Sequence, residues 1–113
     1  MVTPATGSVV LVPFPFSDLS QSKLRPAVVL ADTAKGDWIL CQVTSNAYAD
    51  PLAVPLATGD FHEGTLRIVS YARPGKLFTA NSDLLITEVG RLKQESFLKV
   101  VNAVIDLLEA STR

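Results

Sequence analysis

Short apolar runs rich in β-branched residues follow one another along most of this chain, and proline or glycine ends the first and the last of them. Such runs, bounded by turn residues, are typical of strands. Lys35-Gly36-Asp37 lies between the second and third runs and predicts a hairpin turn, so these two strands should be antiparallel neighbours. The predicted strands cover residues 8–14, 26–31, 38–44, 53–56, 65–71 and 84–89.

Only the last stretch of the chain has the period of a helix. Its apolar residues recur at helical spacing and predict one helix over residues 93–110. Leu98 and Leu107 widen the apolar stripe of this helix. The wider stripe is expected either to contact a second subunit or to pack in a groove of the chain's own barrel. Five or six strands and one helix predict a mostly β fold, a small curled antiparallel barrel. The stripe consists of Phe97, Val100, Val101, Val104, Ile105 and Leu108.

Length and composition bound the function. The 113 residues are enough for one domain, residues 1–113. A hydrophobic fraction of 48 % argues against a disordered chain. Ten basic and eleven acidic residues give a net charge of −1, which argues against a general polyanion binder but permits one basic pocket. With no signal-peptide pattern and no run of about 20 apolar residues, we expect a cytoplasmic protein without a membrane partner.

Most catalytic signatures are missing, and the remaining features are short phrases in a fixed order. One histidine and one cysteine provide no metal cluster, and no phosphate-binding glycine motif is present. Gly90-Arg-Leu92 opens the predicted helix. The four other phrases are Gly7-Ser-Val-Val-Leu-Val-Pro-Phe-Pro-Phe-Ser-Asp18, Lys23-Leu-Arg-Pro-Ala-Val-Val-Leu30, Leu40-Cys-Gln-Val-Thr-Ser45 and Ser70-Tyr-Ala-Arg-Pro-Gly-Lys-Leu-Phe78.

Taken together, these phrases resemble the MazF/PemK family of toxins from type II toxin–antitoxin pairs, over nearly the whole chain. The resemblance implies an SH3-like barrel with a C-terminal helix, a homodimer, and cleavage of single-stranded RNA without a metal or other cofactor. It also implies a cognate antitoxin whose disordered tail lies across the RNA site.

The resemblance assigns roles to particular residues. Arg25 matches the family's catalytic arginine, and Thr44 matches its catalytic threonine. Ser45 follows Thr44 and is expected to help hold the phosphate. A guanidinium is planar, always charged and bidentate toward phosphate, which suits this chemistry. The alternatives are an ion-paired surface arginine, a threonine that packs at a strand end, and a turn serine.

Four further residues are predicted to bind RNA, and each has a plainer alternative. Phe16 belongs to a Pro-Phe-Pro-Phe segment that suits base stacking or core packing. Lys23 lies shortly before the Arg-Pro motif. Arg73 and Lys76 flank Pro74-Gly75, and we expect them either to form an RNA-facing edge or to be ordinary solvated charges.

Other candidates are expected to be structural. His62 is the only side chain of the type that commonly transfers protons near neutral pH. Its neighbours are polar, so we expect an exposed histidine in a loop. Cys41 and Trp38 are expected in the core, with a dimer interface as the alternative for Trp38.

One departure from the family keeps other functions open. Ser8 follows Gly7 where family members commonly have aspartate, so an acidic group is missing there. One alternative is therefore a binding module with weakened catalysis. The low pI and the lack of a strong general base give a second alternative, a gyrase inhibitor like the CcdB toxins, which share the fold.

Overall fold

The computed structural model describes residues 4–15, 22–47 and 50–112. Seven antiparallel strands form a nearly closed barrel, and one helix follows them at the C-terminus. The predicted fold class is confirmed. The elements are β1 (Ser8–Pro15), β2 (Ser22–Ala34), β3 (Asp37–Thr44), β4 (Val54–Leu56), β5 (Phe61–Gly64), β6 (Ser70–Asn81), β7 (Thr87–Leu92) and α1 (Gln94–Ala110).

The strands β1, β2 and β3 lie in the middle of the sheet and are buried on both faces. The strand order is β4-β6-β3-β2-β1-β7-β5. Val9, Val28 and Cys41 lie opposite one another on one face, which packs against Val100 of α1. Their neighbours Val10, Val12, Ala27, Val29 and Leu40 form a second cluster on the other face. Burial on both faces explains why these strands are continuous valine-rich runs rather than alternating ones.

The hairpin turn between β2 and β3 is confirmed. Lys35 and Gly36 both have positive φ, at 59° and 83°, which is the signature of a type I′ turn. Only glycine and a few other residues adopt this backbone readily, so Gly36 sets the position of the turn. Between the turn and the Ala27–Gln42 pair the β2–β3 register shifts twice, so the turn and these two bulges together fix that pairing.

Asp60 joins the two edge strands to the helix. It ends a short 3₁₀ turn, Thr58–Asp60, between β4 and β5. Its Oδ2 accepts the Ala57 N–H at 2.8 Å, and its Oδ1 accepts the Ser96 hydroxyl at 2.8 Å. The backbone N–H of Lys93 also donates to the Asp60 carbonyl. These bonds connect the chain between the edge strands to the first turns of α1.

The predicted strand over residues 65–71 is wrong for most of its length. Residues 65–69 form a loop, and β6 runs from Ser70 to Asn81. The cause lies at Gly64, where φ is +64° and a Cβ would lie 2.3 Å from the carbonyl oxygen of Val89. The chain leaves the sheet there and exposes Ile68 and Val69.

The second half of β6 was not predicted, because the Arg73–Lys76 segment has the composition of a turn. In the structure this segment is a bulge, since the β3–β6 register shifts between Cys41 and Val43. Pairing then resumes at Leu77.

The start of β7 and the presence of β5 also differ from the prediction. The strand predicted over residues 84–89 begins only at Thr87, because residues 82–84 form a 3₁₀ turn in which the Asn81 side chain accepts the Asp83 N–H. Strand β5 was not predicted at all.

The predicted helix over residues 93–110 is confirmed as α1, Gln94–Ala110, with Lys93 at its N-cap. No helix in the described part of the chain is long and apolar enough to cross a bilayer.

Candidate nucleic-acid interface

The open end of the β2–β3 hairpin brings Arg25 and Thr44 together. Ala27 pairs with Gln42, and Arg25 and Thr44 lie two residues further toward the open end on their respective strands. Because side chains alternate along a strand, Arg25 shares the face of Ala27 and Val29. Arg25 also pairs with Val12 of β1, so neighbours on both sides fix its strand position. Both Arg25 and Thr44 line a cavity of about 230 Å³.

Positive charge is concentrated around this cavity, although the whole chain carries a net charge of −1. Among the described residues that line it, three are cationic, three bear hydroxyl groups and none is acidic. Such a lining favours a polyanionic ligand. The lining residues are Lys23, Leu24, Arg25, Pro26, Val43, Thr44, Ser45, Leu66, Arg67, Ile68 and Ser70.

The Thr44 hydroxyl is held in place by its own chain. Thr44 is 4 % exposed, and its Oγ1 accepts the backbone N–H of Asn46 at 3.2 Å. A hydroxyl that accepts one hydrogen bond still has its own proton to donate. Thr44 therefore offers a fixed donor at the wall of a positively charged cavity.

Four of the predicted site residues meet at this cavity, and two do not. Lys23 and Ser45 are exposed at its rim beside Arg25 and Thr44. Arg73 and Lys76 are not among the described lining residues. Lys76 is exposed in the β6 bulge. Its neighbour Gly75 packs near α1, since a Cβ there would lie 3.7 Å from the Leu107 side chain. Phe16 lies outside the described residues.

Arg73 is instead held by a carboxylate. Its Nε donates to Asp50 Oδ2 at 3.2 Å, and both side chains are largely buried. The pKa of Asp50 is lowered, first by the hydrogen bond from the Leu52 N–H and then by the Arg73 guanidinium. Asp50 therefore stays ionised and keeps Arg73 next to the segment before β4.

Ser8, the departure from the family's usual aspartate, lies outside the cavity lining. Its buried hydroxyl donates to Glu88 of β7, and the same carboxylate accepts Arg91 Nε at 3.0 Å. Ser8 is at the start of β1, whereas Val12, the partner of Arg25, is four positions further along. Serine in place of aspartate at this position therefore affects the pairing of β1 with β7 rather than the cavity.

The remaining candidates lie away from the cavity lining. His62 is exposed, but in β5 rather than in a loop. Cys41 is buried as predicted, and its thiol donates to the Arg73 carbonyl at 3.1 Å. Burial raises the pKa of this thiol to about 12, so it is neutral near pH 7. Trp38 packs against the second core cluster. Within the described residues, no group of three or more His, Cys, Asp or Glu side chains is placed to hold a metal.

Arg67 is a cavity residue that sequence reasoning missed. It lies between Leu66 and Ile68 in the loop after β5, and all three line the cavity. The alternating pattern of this segment resembles a strand, and nothing local indicates which part of the barrel it meets. Only the turn at Gly64 brings it to Arg25 and Thr44.

The sequence matches, over residues 5–108, the family described as PemK-like, MazF-like toxins of type II toxin–antitoxin systems. This match covers nearly the whole chain. The chain therefore belongs to the MazF/PemK toxin family, as the ordered phrases predicted. No curated protein matches the sequence.

Solved structures agree with this fold. A MazE–MazF complex from Deinococcus radiodurans is similar with a TM-score of 0.76 and 21 % identity, covering 96 % of this chain and 98 % of that one. MazF alone from the same organism is similar with a TM-score of 0.73 and 22 % identity, covering 96 % of this chain and 99 % of that one. An endoribonuclease in complex with its cognate antitoxin from a mycobacterial species has a TM-score of 0.72 and 16 % identity, with 96 % of each chain covered. At these identities the likeness establishes the fold alone.

Proposed function

We propose that this toxin is a sequence-selective endoribonuclease that cuts single-stranded RNA without a metal ion. The observation that carries the proposal is the meeting of Arg25 and Thr44 at one cavity with three cationic lining residues. Membership of the MazF/PemK family supports it, as does the mycobacterial structural neighbour described as an endoribonuclease.

The chemistry needs no nucleophile from the protein, because RNA carries its own. The 2′-oxygen attacks the adjacent phosphorus, a new P–O2′ bond forms, and the P–O5′ bond breaks. The products are a 2′,3′-cyclic phosphate and a 5′-hydroxyl. Negative charge builds on the phosphoryl oxygens during the attack, and stabilising it is usually the largest catalytic contribution. The Arg25 guanidinium is assigned that role.

Thr44 and Ser45 orient the same phosphate in this proposal. The fixed Thr44 hydroxyl donates to a non-bridging oxygen, and the rim residues Ser45 and Lys23 hold the strand. No His, Asp or Glu is found among the described lining residues. In this proposal, water accepts the proton of the 2′-hydroxyl and supplies one to the 5′-oxygen.

The direct test is incubation of the purified protein with a long single-stranded RNA in EDTA, followed by mapping of the product ends. We expect cuts at one short recurring word, with cyclic phosphate and 5′-hydroxyl ends. A single 2′-deoxy substitution 5′ to a mapped cut should abolish that cut and leave the others. Cleavage that survives this substitution, or that requires added metal, would refute the mechanism.

The two alternatives predict different results in the same assay. A gyrase inhibitor leaves RNA intact and changes DNA supercoiling by gyrase. A binding module with weakened catalysis binds RNA or antitoxin without cutting. The family match is to PemK- and MazF-like toxins, and it therefore favours the endoribonuclease over the gyrase inhibitor.

A cognate antitoxin is the proposed protein partner. The neighbours solved as MazE–MazF complexes support this, and so does the charge of the cavity. A disordered, acidic tail across the site of Lys23, Arg25 and Arg67 would exclude RNA by occupying the same cations. A peptide from the neighbouring gene should then block cleavage competitively. Unchanged cleavage with the peptide bound would contradict a shared site.

A homodimer is also proposed, and an apolar groove beside α1 supports it. The groove has a volume of about 270 Å³ and lies between the helix and strands β2, β3 and β6. Leu77, Ile105 and Leu108 line it and are 38 %, 42 % and 58 % exposed. A charge at Leu108, as in Leu108→Glu, should shift the protein from dimer to monomer in sedimentation equilibrium. A wild-type monomer at all concentrations would refute the proposal.

A further inference from the structure

The loop after β5 forms one wall of the cavity, and the proposed mechanism leaves its charge unused. Residues 65–69 connect Gly64, the last residue of β5, to Ser70, the first of β6. Leu66, Arg67 and Ile68 of this loop line the cavity that Arg25 and Thr44 share. The loop therefore places a second guanidinium at the site, from a different element than β2.

Arg67 differs from the other arginines whose contacts are known. Arg73 is held by Asp50, and Arg91 is held by Glu88. Arg67 is exposed, and it has no ion pair or hydrogen bond to any residue of the described ranges. Its guanidinium is thus available to a ligand in the cavity. A surface arginine without a protein partner is common, but this one faces a cavity that has no acidic lining residue among those described.

The chemistry of the substrate gives this cation a separate task. Every RNA nucleotide contributes one phosphate, so a strand that crosses the cavity presents more than the scissile group. Arg25 is anchored in the sheet near Thr44, whereas Arg67 approaches from the loop. Two guanidinium groups on separate elements suit two successive phosphates, each of which an arginine can bind in bidentate fashion.

We propose that Arg67 is an RNA-positioning residue that binds the phosphate next to the scissile one. This inference rests on the proposed ribonuclease function, because it concerns the same cavity. Arg67 raises the affinity for RNA and aligns the strand, while Arg25 and Thr44 act on the reacting phosphate. Loss of Arg67 should therefore weaken binding and raise KM, with little effect on kcat.

The test uses two substrates, so that the inference and the proposed function can fail separately. The first is a single-stranded RNA oligonucleotide of defined sequence, spanning a mapped cut where mapping has found one, for cleavage kinetics. The second is its 2′-O-methyl analogue, which lacks the attacking hydroxyl and reports binding alone by fluorescence anisotropy. Each neutralised phosphate contributes about 0.7 to the slope of log affinity against log salt for single strands.

Three variants complete the design. In Arg67→Ala we expect binding about 5- to 10-fold weaker, a salt slope smaller by about 0.7, and kcat within about twofold of wild type. Arg67→Lys should restore most of the slope, since it restores the charge. The matched control Lys35→Asn removes one positive charge at the closed end of the β2–β3 hairpin, where asparagine accepts the positive φ. It should behave as wild type in both assays.

Each outcome decides one claim. An unchanged salt slope and affinity in Arg67→Ala overturns the inference, even where the wild type cuts RNA. A fall in kcat with an unchanged slope also overturns it. An uncut RNA oligonucleotide defeats the proposed function, while the analogue still tests Arg67 by binding. A wild-type protein that binds neither substrate defeats both.

Discussion

Arg25 in β2 and Thr44 in β3 line the same cavity because one hairpin register carries both to its open end. The register there is set by the Lys35-Gly36 turn together with two bulges in β2, between Val29 and Ala31 and between Asp32 and Ala34. A slip by one residue would move one of the two side chains to the opposite face of the sheet. The fold thus couples the turn to the geometry of the site.

The hydroxyl of Thr44, rather than its shape, should matter for cleavage. Thr44→Val keeps the size and β-branching of this buried residue but removes the donor to the phosphate. We expect kcat to fall by about 10²-fold, the lower range for loss of one transition-state hydrogen-bond donor. Thr44→Ser should recover most of the activity. Equal rates for Thr44→Val and wild type on the same oligonucleotide would show that the hydroxyl plays no part.

Cleavage should proceed without the single histidine. His62 is exposed in β5 and is not among the described residues that line the cavity. We expect His62→Ala to cleave within about twofold of wild type, and both pH–rate profiles to lack a step near the usual histidine pKa of about 6.5. A large loss in His62→Ala, with that step present only in the wild type, would assign proton transfer to His62.

Asp60 should make the free energy of unfolding depend on pH in the acid range. Its pKa is lowered chiefly by the Ala57 N–H, with the Ser96 hydroxyl and the Lys99 and Lys93 charges adding to this. A folded-state pKa below the unfolded value gives stability that is present above the unfolded pKa, near 3.8. That stability is lost as the pH falls through the folded value.

Asp60→Asn tests this connection. We expect the variant to unfold more easily at pH 7 by about 1.5–3 kcal/mol, the size of a charged hydrogen bond. The difference should begin to shrink as the pH falls below about 4, where the unfolded chain takes up a proton at Asp60, and should shrink further down to the folded pKa. Urea denaturation at pH 7 and pH 3 measures both. A constant difference between these pH values would exclude the carboxylate charge as the cause.

Ser8 should contribute to stability and not to catalysis. Its buried hydroxyl donates to Glu88, which also accepts from Arg91. Ser8→Ala removes one hydrogen bond to a charged group and should cost about 1.5–3 kcal/mol. In a chain of this size that lowers Tm by roughly 6–18 °C. Cleavage by the variant, measured well below its Tm, should equal that of wild type, and a selective loss of kcat would place Ser8 in the site.

The parts of the fold that the sequence predicts are those with a continuous apolar run or a helical period. β1 to β3 are continuous valine-rich runs and α1 has an apolar stripe at helical spacing, so their positions follow from pattern alone. The loop 65–69 misleads because Leu66, Ile68 and Ser70 alternate as a strand would. What overrides the pattern is a backbone contact at Gly64 with Val89, far along the sequence. In the same way, Pro74-Gly75 resembles a turn but is a bulge within β6.

The candidate site was predictable only where a family motif marks it. Arg25 and Thr44 follow from the resemblance, and the hairpin register explains why they meet. Arg67 has no motif, and its place depends on where a loop leaves the sheet. Arg73 stands in a family phrase, yet Asp50 holds its side chain away from the cavity lining. Charge and local pattern do not reveal such tertiary partners.

The measurement that tests the central claim most directly compares wild type with Arg25→Ala on one mapped RNA site in EDTA. Arg25 is assigned to the phosphate on which charge develops, so its loss should reduce kcat by about 10²- to 10³-fold. Arg25→Lys should recover only part, because an ammonium lacks the bidentate fork. Matched circular dichroism and melting curves confirm that the variants are folded. Wild-type rates in a folded Arg25→Ala protein would contradict the account.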